Sequence, residues 1–231
     1  MTLSPAAPAP PAAPVELVIF DCDGVLVDSE RLAIGLNIEM LADYGYRATE
    51  QEIIDHFVGR SLPAVIERIE AMVGRPVPEW RELWMARMTA LHEAALKPVD
   101  GVIEALDRIK VPVCVASSGG HRKIRHSLDV TGLRPYFGDR LFSANDVARG
   151  KPAPDLFLHA ARTLGVAPSA CAVVEDSEPG VHAARAAGMR SFGYSGGVTP
   201  SERLSGGGTV VFDDMRRLPE LIAAAERDRR G

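Results

Sequence analysis

From Val15 to about residue 212, the sequence alternates short β-branched runs with amphipathic stretches of helical periodicity. The runs are VELVIF (15–20), VPVCVAS (111–117), CAVVED (171–176), RSFGYS (190–195) and TVVF (209–212). Stretches such as VIEALDRIK, HRKIRHSLDV and PDLFLHAARTLG lie between them. Strand and helix at these spacings predict right-handed βαβ units and a parallel sheet with helices on both faces. We therefore expect a doubly wound, Rossmann-like α/β core.

Residues 29–96 interrupt this alternation, since they carry helical patterns and no strand-like run. Thr49 and Glu52 fit a capping box, in which each side chain accepts from the backbone N–H of the other. The chain returns to the strand pattern through KPVDG (97–101), whose proline and glycine are typical of a junction. We expect an all-helical cap domain inserted after the first strand. The predicted division is a flexible Pro/Ala-rich tail over 1–14, an α/β core over 15–28 and 97–231, and the cap over 29–96.

The charge balance favours a small-molecule partner. The 231 residues carry a formal net charge of −5 and the pI is near 5.7, so we expect no general attraction to nucleic acid or to an anionic membrane. No apolar stretch reaches the roughly 18 residues that a membrane-spanning helix needs. The three cysteines fall in or beside strand-like runs, which indicates buried thiols in a reducing compartment. We expect a cytoplasmic monomer.

Polar residues follow the first three strand-like runs, at the end where open parallel sheets bind their ligands. They are Asp21 and Asp23 after the first run, Ser117 and Ser118 after the second, and Glu175 and Asp176 after the third. Lys151, in RGKPAPD, precedes a proline-rich helix start. Because the carboxyl ends of parallel strands meet at one edge of the sheet, we expect these side chains to converge on one site.

The spacing of Asp21 and Asp23 places both carboxylates on the same side of an extended segment. Together with Asp176 they would repel one another, and a hard divalent cation relieves that repulsion. Mg²⁺ prefers oxygen ligands and commonly bridges to phosphate, whose other oxygens Lys151 and Ser117 can hold. A carboxylate that attacks phosphorus forms an aspartyl-phosphate, and a second carboxyl group can protonate the leaving oxygen and then activate water. The residues thus predict a site for Mg²⁺ and a phosphate ester.

Four segments, FDCDGVLVDSE, VCVASSGG, RGKPAPD and VVEDSEPGV, resemble the four ordered motifs of the haloacid dehalogenase-like (HAD) hydrolase superfamily. The resemblance covers about residues 15–212 and is to the subfamily with a helical cap after the first motif. It implies a phosphatase in which Asp21 is the nucleophile and Asp23 is the general acid/base and a metal ligand through its backbone carbonyl. The other roles it implies are phosphate binding by Ser117, Ser118 and Lys151, and Mg²⁺ coordination by Asp21, Glu175 and Asp176.

The segment HFVGRS (56–61) resembles the substrate-specificity loop of that subfamily, which makes His56 and Arg60 candidates for substrate contacts. An arginine can pair with an acidic group of the substrate. VPVCVASSGG, together with LFSANDVARGKPAPDLFLHAA, resembles the subset that acts on sugar phosphates and sugar-acid phosphates such as 6-phosphogluconate. We therefore predict hydrolysis of a small ester of this kind.

Within the superfamily, the main alternative is a β-phosphoglucomutase-like phosphomutase. That branch has a histidine on the first cap helix where Ala33 stands here, and an arginine at the position of Leu62; both differences favour a phosphatase. A dehalogenase would leave Asp23 and Asp176 without a role. An alternative of another class is a receiver-like signalling switch phosphorylated on aspartate, which the inserted helical segment and the DxDG spacing disfavour.

Overall fold

The computed structural model describes residues 14–58, 60 and 62–227, so the predicted tail lies outside the described residues except for Pro14. The described chain forms a six-stranded parallel sheet in the order β3-β2-β1-β4-β5-β6. Its strands are β1 (Leu17–Phe20), β2 (Val113–Ser117), β3 (Leu141–Ser143), β4 (Cys171–Glu175), β5 (Arg190–Tyr194) and β6 (Val210–Phe212). The strand order reverses between β1 and β4, as in a doubly wound fold. The predicted Rossmann-like α/β class is confirmed.

Eleven α-helices lie in the described part of the chain, and most of them connect strands in the way that parallel crossovers require. They are α1 (Ser29–Asp43), α2 (Glu50–Phe57), α3 (Leu62–Val73), α4 (Trp80–Ala95), α5 (Val102–Arg108), α6 (His121–Val130), α7 (Arg134–Phe137), α8 (Asp155–Thr163), α9 (Glu178–Ala186), α10 (Ser201–Leu204) and α11 (Leu218–Arg227). None of these helices is long and apolar enough to cross a membrane.

The sheet is buried on both faces because side chains along each strand alternate between two hydrophobic cores. In β1, Val18 and Phe20 face a core shared with α5, α6 and α11. Leu17 and Ile19 face a second core shared with α8 and α9. The thiols of Cys22, Cys114 and Cys171 are free and buried, as the sequence predicts.

The edge strand β3 is not predicted by the sequence patterns. It is only three residues long, LFS, and pairs with β2 so that Ser143 lies beside Ser117. The Ser143 hydroxyl donates to the carbonyl oxygen of Gly119 at 2.7 Å. This short strand therefore supports the loop that follows β2.

Of the five helices between β1 and β2, the first four, α1 to α4, share a hydrophobic cluster of their own. Trp80, at 1% exposure, is buried in it. The predicted capping box begins α2, where the Thr49 hydroxyl accepts from the Glu52 N–H and the Glu52 carboxylate accepts from the Thr49 N–H. These helices therefore pack around an interior separate from the two faces of the sheet.

Two adjacent segments connect these helices with the sheet. The Asp28 N–H donates to the Lys97 carbonyl oxygen, and the Val99 N–H donates to the Leu26 carbonyl oxygen, both at 2.9 Å. The first segment, 26–28, leads from β1 to α1. The second is KPVDG (97–101), the predicted junction. The chain therefore leaves the sheet and returns to it along two hydrogen-bonded segments.

Candidate active site

A cavity of about 640 Å³ opens beyond the carboxyl ends of β1, β2 and β4. Eight of the nine predicted site residues line it: Asp21, Asp23, Arg60, Ser117, Ser118, Lys151, Glu175 and Asp176. The ninth, His56, lies on α2 with its Nε2 atom 3.0 Å from the Arg68 guanidinium, and it lines a neighbouring groove that shares Arg60 with the cavity. The structure thus brings the strand-end residues and Arg60 together and leaves His56 outside their cavity.

Lys151 connects the buried charges of the cavity. Its ammonium group donates to Asp21 Oδ1 at 2.6 Å, to Glu175 Oε1 at 2.5 Å and to the Ala116 carbonyl oxygen at 3.0 Å. Burial lowers the pKa of Lys151, but the attraction of the two carboxylates outweighs burial, so the net pKa is raised. Lys151 therefore stays charged and fixes the Asp21 carboxylate at the end of β1.

Asp21, Glu175 and Asp176 form a cluster in which each offers one carboxylate oxygen, and these oxygens lie within 4.8 Å of one another. Burial raises the pKa of Asp21 to about 7; Lys151 opposes this rise and the neighbouring carboxylates add to it. Burial also raises the pKa of Asp176, and Glu175 and Asp21 raise it further. Buried carboxylates that repel one another at this spacing fit a hard divalent cation.

Two glycines make room for the carboxylates of this cluster. Gly24 has φ of +74°, and a Cβ at this position would overlap the Asp176 carboxylate. A Cβ at Gly180, in the first turn of α9, would overlap the Glu175 carboxylate. Glu175 Oε2 also accepts from the Ser177 N–H at 3.1 Å and from the Ser177 hydroxyl at 2.8 Å. The start of α9 therefore fixes the orientation of Glu175.

Asp23 is held by two donors, one at each carboxylate oxygen. The Ser29 hydroxyl donates to Oδ1 at 2.9 Å, and the Lys123 ammonium donates to Oδ2 at 2.7 Å. Burial alone would raise the pKa of Asp23, but Lys123 and the Ser29 hydrogen bond outweigh it and lower the pKa. The pKa of Asp23 therefore lies below that of Asp21, two residues before it.

The loop after β2 offers hydrogen-bond donors to the cavity. Ser117 is buried and its hydroxyl accepts from the Gly119 N–H at 3.0 Å, while Ser118 is exposed. Gly120 is the residue before the first turn of α6. Free backbone N–H groups at a helix N-terminus favour an anion. The phosphate-binding role of this loop stays a prediction.

Sequence reasoning missed Ser29 and Lys123 as contacts of Asp23. The sequence pattern gives Ser29 only a place at the start of the first inserted helix. Lys123 is the third residue of α6, in the first turn, where the helix dipole disfavours a cation. A lysine at such a position indicates a nearby anion, and this is the signal that could have found it.

A second cavity, of about 440 Å³, lies among the inserted helices and shares Glu30, Val58 and Arg60 with the first. Trp84 lines it from α4 and is partly buried. Arg60 thus stands where the two cavities meet.

Comparison with known proteins gives one family match: the model of the haloacid dehalogenase-like hydrolases matches residues 15–188. A 6-phosphogluconate phosphatase from Escherichia coli is 32% identical over 212 residues, which are 91% of this chain and 96% of that protein.

Two solved structures resemble the fold along nearly the whole chain. A haloacid dehalogenase-like protein of unknown function from Agrobacterium tumefaciens has a TM-score of 0.84 and 38% identity, over 91% of this chain and 98% of that one. A HAD-family hydrolase from Deinococcus radiodurans, solved with bound phosphate and sodium, has a TM-score of 0.82 and 30% identity, over 92% of this chain and 97% of that one.

Proposed function

Because the chain belongs to the haloacid dehalogenase-like hydrolase family, we propose that it is a Mg²⁺-dependent phosphatase that hydrolyses a small phosphorylated metabolite through an aspartyl-phosphate. Membership of the family confirms the resemblance of the four motifs and the expectation of a hydrolase. One observation carries the proposal: Asp21 is held by Lys151 in a cavity that Asp23 also lines, beside the donors of the loop after β2.

In the first step, an Asp21 carboxylate oxygen attacks phosphorus and the bond to the leaving oxygen breaks. Oδ1 of Asp21 is bonded to Lys151, which leaves Oδ2 for the attack. Lys151, Ser117 and the N–H groups of the loop after β2 stabilise the phosphoryl oxygens. Protonated Asp23 gives its proton to the leaving oxygen, which departs as an alcohol.

In the second step, the Asp23 carboxylate takes a proton from a water molecule, and the resulting hydroxide attacks phosphorus. The bond between phosphorus and the Asp21 oxygen breaks, which releases inorganic phosphate and restores the Asp21 carboxylate. Asp23 is then protonated for the next turnover.

The buried carboxylate cluster fits a divalent cation, and we propose Mg²⁺ as that ion. Asp21 and Asp176 would hold it, with the backbone carbonyl of Asp23, and Glu175 would assist while its oxygens are engaged by Lys151 and Ser177. When bound, Mg²⁺ neutralises negative charge on the phosphoryl group. The acidic residues could then all be ionised together.

We propose further that residues 29–96 form a cap that selects a sugar phosphate or sugar-acid phosphate. Arg60 supports this role because it lines both the active-site cavity and the cavity among the inserted helices. The similarity to a 6-phosphogluconate phosphatase points to an acidic sugar as the first substrate to test. A guanidinium at this position would pair with the distal carboxylate of such a substrate.

Phosphate release from a panel of neutral and acidic sugar phosphates, with Mg²⁺ or with EDTA, tests the proposed function. We expect turnover that needs the metal and a higher kcat/KM for the sugar-acid esters. The Arg60→Ala variant should raise KM for the acidic esters about tenfold, the loss expected for one charge-assisted hydrogen bond, and leave the neutral ones nearly unchanged.

Arg68→Ala is the matched control, because Arg68 lines the neighbouring groove and not the active-site cavity. Its kinetics should equal those of the wild type on every ester. Turnover that persists in EDTA would contradict the metal requirement. Equal activity on neutral and acidic esters, unchanged in Arg60→Ala, would contradict the proposed substrate class.

A further inference from the structure

We propose that Lys123 is a positioning residue that, together with Ser29, fixes the Asp23 carboxylate in the orientation needed for proton transfer. The inference rests on the proposed phosphatase function, in which Asp23 exchanges a proton with the leaving oxygen and with water. Lys123 lies outside the four motif segments and does not follow a strand. Its assignment therefore comes from the geometry alone.

The two donors determine the orientation of Asp23 because they occupy different oxygens. The Lys123 ammonium bonds Oδ2 at 2.7 Å, and the buried Ser29 hydroxyl bonds Oδ1 at 2.9 Å. A carboxylate bonded at both oxygens cannot rotate about its terminal bond without breaking one of these contacts. Part of the Asp23 side chain, 21%, stays exposed and remains accessible to a reacting group.

Lys123 reaches Asp23 from outside the active-site cavity. It lines a neighbouring cavity of about 530 Å³, together with Ser29, Glu30 and His92, and is not among the residues that line the active-site cavity. A phosphate ligand would have to lie in the active-site cavity, as Lys151 does. The position of Lys123 therefore supports a role through Asp23 and not direct binding of the phosphoryl group.

The two donors belong to different parts of the fold. Ser29 is the first residue of α1, in the inserted helices, whereas Lys123 is in the first turn of α6, which packs on the sheet. A lysine in the first turn is disfavoured by the helix dipole, and the Asp23 carboxylate offsets this cost. Asp23 is thus held at the boundary between the inserted helices and the core.

The test compares two esters whose leaving groups differ in their need for a proton. The leaving group of an alkyl phosphate is a strongly basic alkoxide unless its oxygen is protonated as it departs. The leaving group of p-nitrophenyl phosphate is a stable phenolate, which needs no proton. In Lys123→Met we expect kcat/KM to fall about tenfold or more for the alkyl ester and less than about threefold for the aryl ester. Lys123→Arg, which keeps the cation, should recover most of the loss.

A role through Asp23 also predicts non-additive effects. Asp23→Asn should show the same leaving-group dependence, and adding Lys123→Met to it should cause little further loss. Arg122→Met is the matched control, because Arg122 is the neighbouring cation on α6 and lines the same 530 Å³ cavity. It should behave as the wild type. Lys123 is partly exposed, with 48% of its side chain accessible, so we expect the Lys123 variants to fold.

Two results would overturn the inference: an equal loss on both esters in Lys123→Met, or a full additional loss when Lys123→Met is combined with Asp23→Asn. A wild-type protein that hydrolyses neither ester would refute the proposed function itself. Wild-type turnover is measured before any variant is compared. A failure of the proposed function is therefore distinguishable from a failure of the role proposed for Lys123.

Discussion

At the residue scale, the carboxylates of the active site differ in how their charges are compensated. Asp21 and Glu175 both accept hydrogen bonds from Lys151. For Asp176, the strongest influences are burial and the neighbouring carboxylates, and all of these disfavour its ionised form. Asp176 therefore costs folding stability when no cation is bound, and functional sites often carry such costs.

We expect Asp176→Asn to raise the free energy of unfolding in EDTA by about 1 kcal/mol near neutral pH, because it removes a buried repulsive charge. The same variant should lose phosphatase activity and any stabilisation by added Mg²⁺, since one of the proposed metal oxygens is replaced by an amide. Urea unfolding with and without Mg²⁺ measures both effects. A variant that is less stable than the wild type in EDTA would contradict the account.

The stability difference should depend on pH. The pKa of Asp176 is raised in the folded state above the ordinary value of 3.8, so the folded protein binds more protons than the unfolded chain above that pH. The wild type then loses stability as pH rises from about 4 through the folded pKa. The advantage of Asp176→Asn in EDTA should accordingly grow with pH and vanish near pH 4. A stability difference that stays constant with pH would contradict its assignment to the ionisation of Asp176.

At the scale of single elements, the start of α9 positions Glu175. An alanine at Gly180 would normally favour a helix, but its Cβ would overlap the Glu175 carboxylate. We expect Gly180→Ala to lower the free energy of unfolding by about 1–3 kcal/mol, as overpacking does. It should also lower kcat more than tenfold, because Glu175 bonds Lys151.

Gly35 is the matched control for this substitution. It lies in the interior of α1, and a Cβ there would meet nothing within 4 Å. Gly35→Ala should raise the free energy of unfolding by about 0.5–1 kcal/mol, because it reduces the freedom of the unfolded chain, and leave activity unchanged. If Gly180→Ala behaved like Gly35→Ala in thermal unfolding and kinetics, the close contact with Glu175 would be of no consequence.

The elements also differ in how well the sequence predicts them. The runs that became β1, β2, β4 and β6 carry enough β-branched and apolar residues to be recognised, and Thr49 with Glu52 predicts the start of α2. The strand β3 is not predicted, because its three residues, LFS, are too few to show a periodicity. Its pairing comes from the neighbouring β2, which is a tertiary effect.

At the scale of the whole molecule, the site lies where the inserted helices meet the sheet. The common direction of the strands in a parallel sheet brings their carboxyl ends to one edge, so sequence patterns could predict that the strand-end residues converge. Lys123 could not be placed in the same way, because its contact with Asp23 depends on how α6 packs against the end of β1. His56 is close to Arg60 in the sequence but lines the neighbouring groove and not the cavity, because the direction of a side chain on α2 depends on how that helix packs.

In the proposed mechanism, Asp21 carries the phosphoryl group during turnover. The most direct measurement is rapid acid quenching of the enzyme with substrate and Mg²⁺, followed by peptide mass spectrometry to locate the modified residue. We predict a phosphoryl group on the peptide that contains Asp21, released by hydroxylamine as expected for an acyl phosphate, and absent in Asp21→Asn. Phosphate release in Asp21→Asn at the wild-type rate, or a phosphoryl group on another residue, would contradict the account.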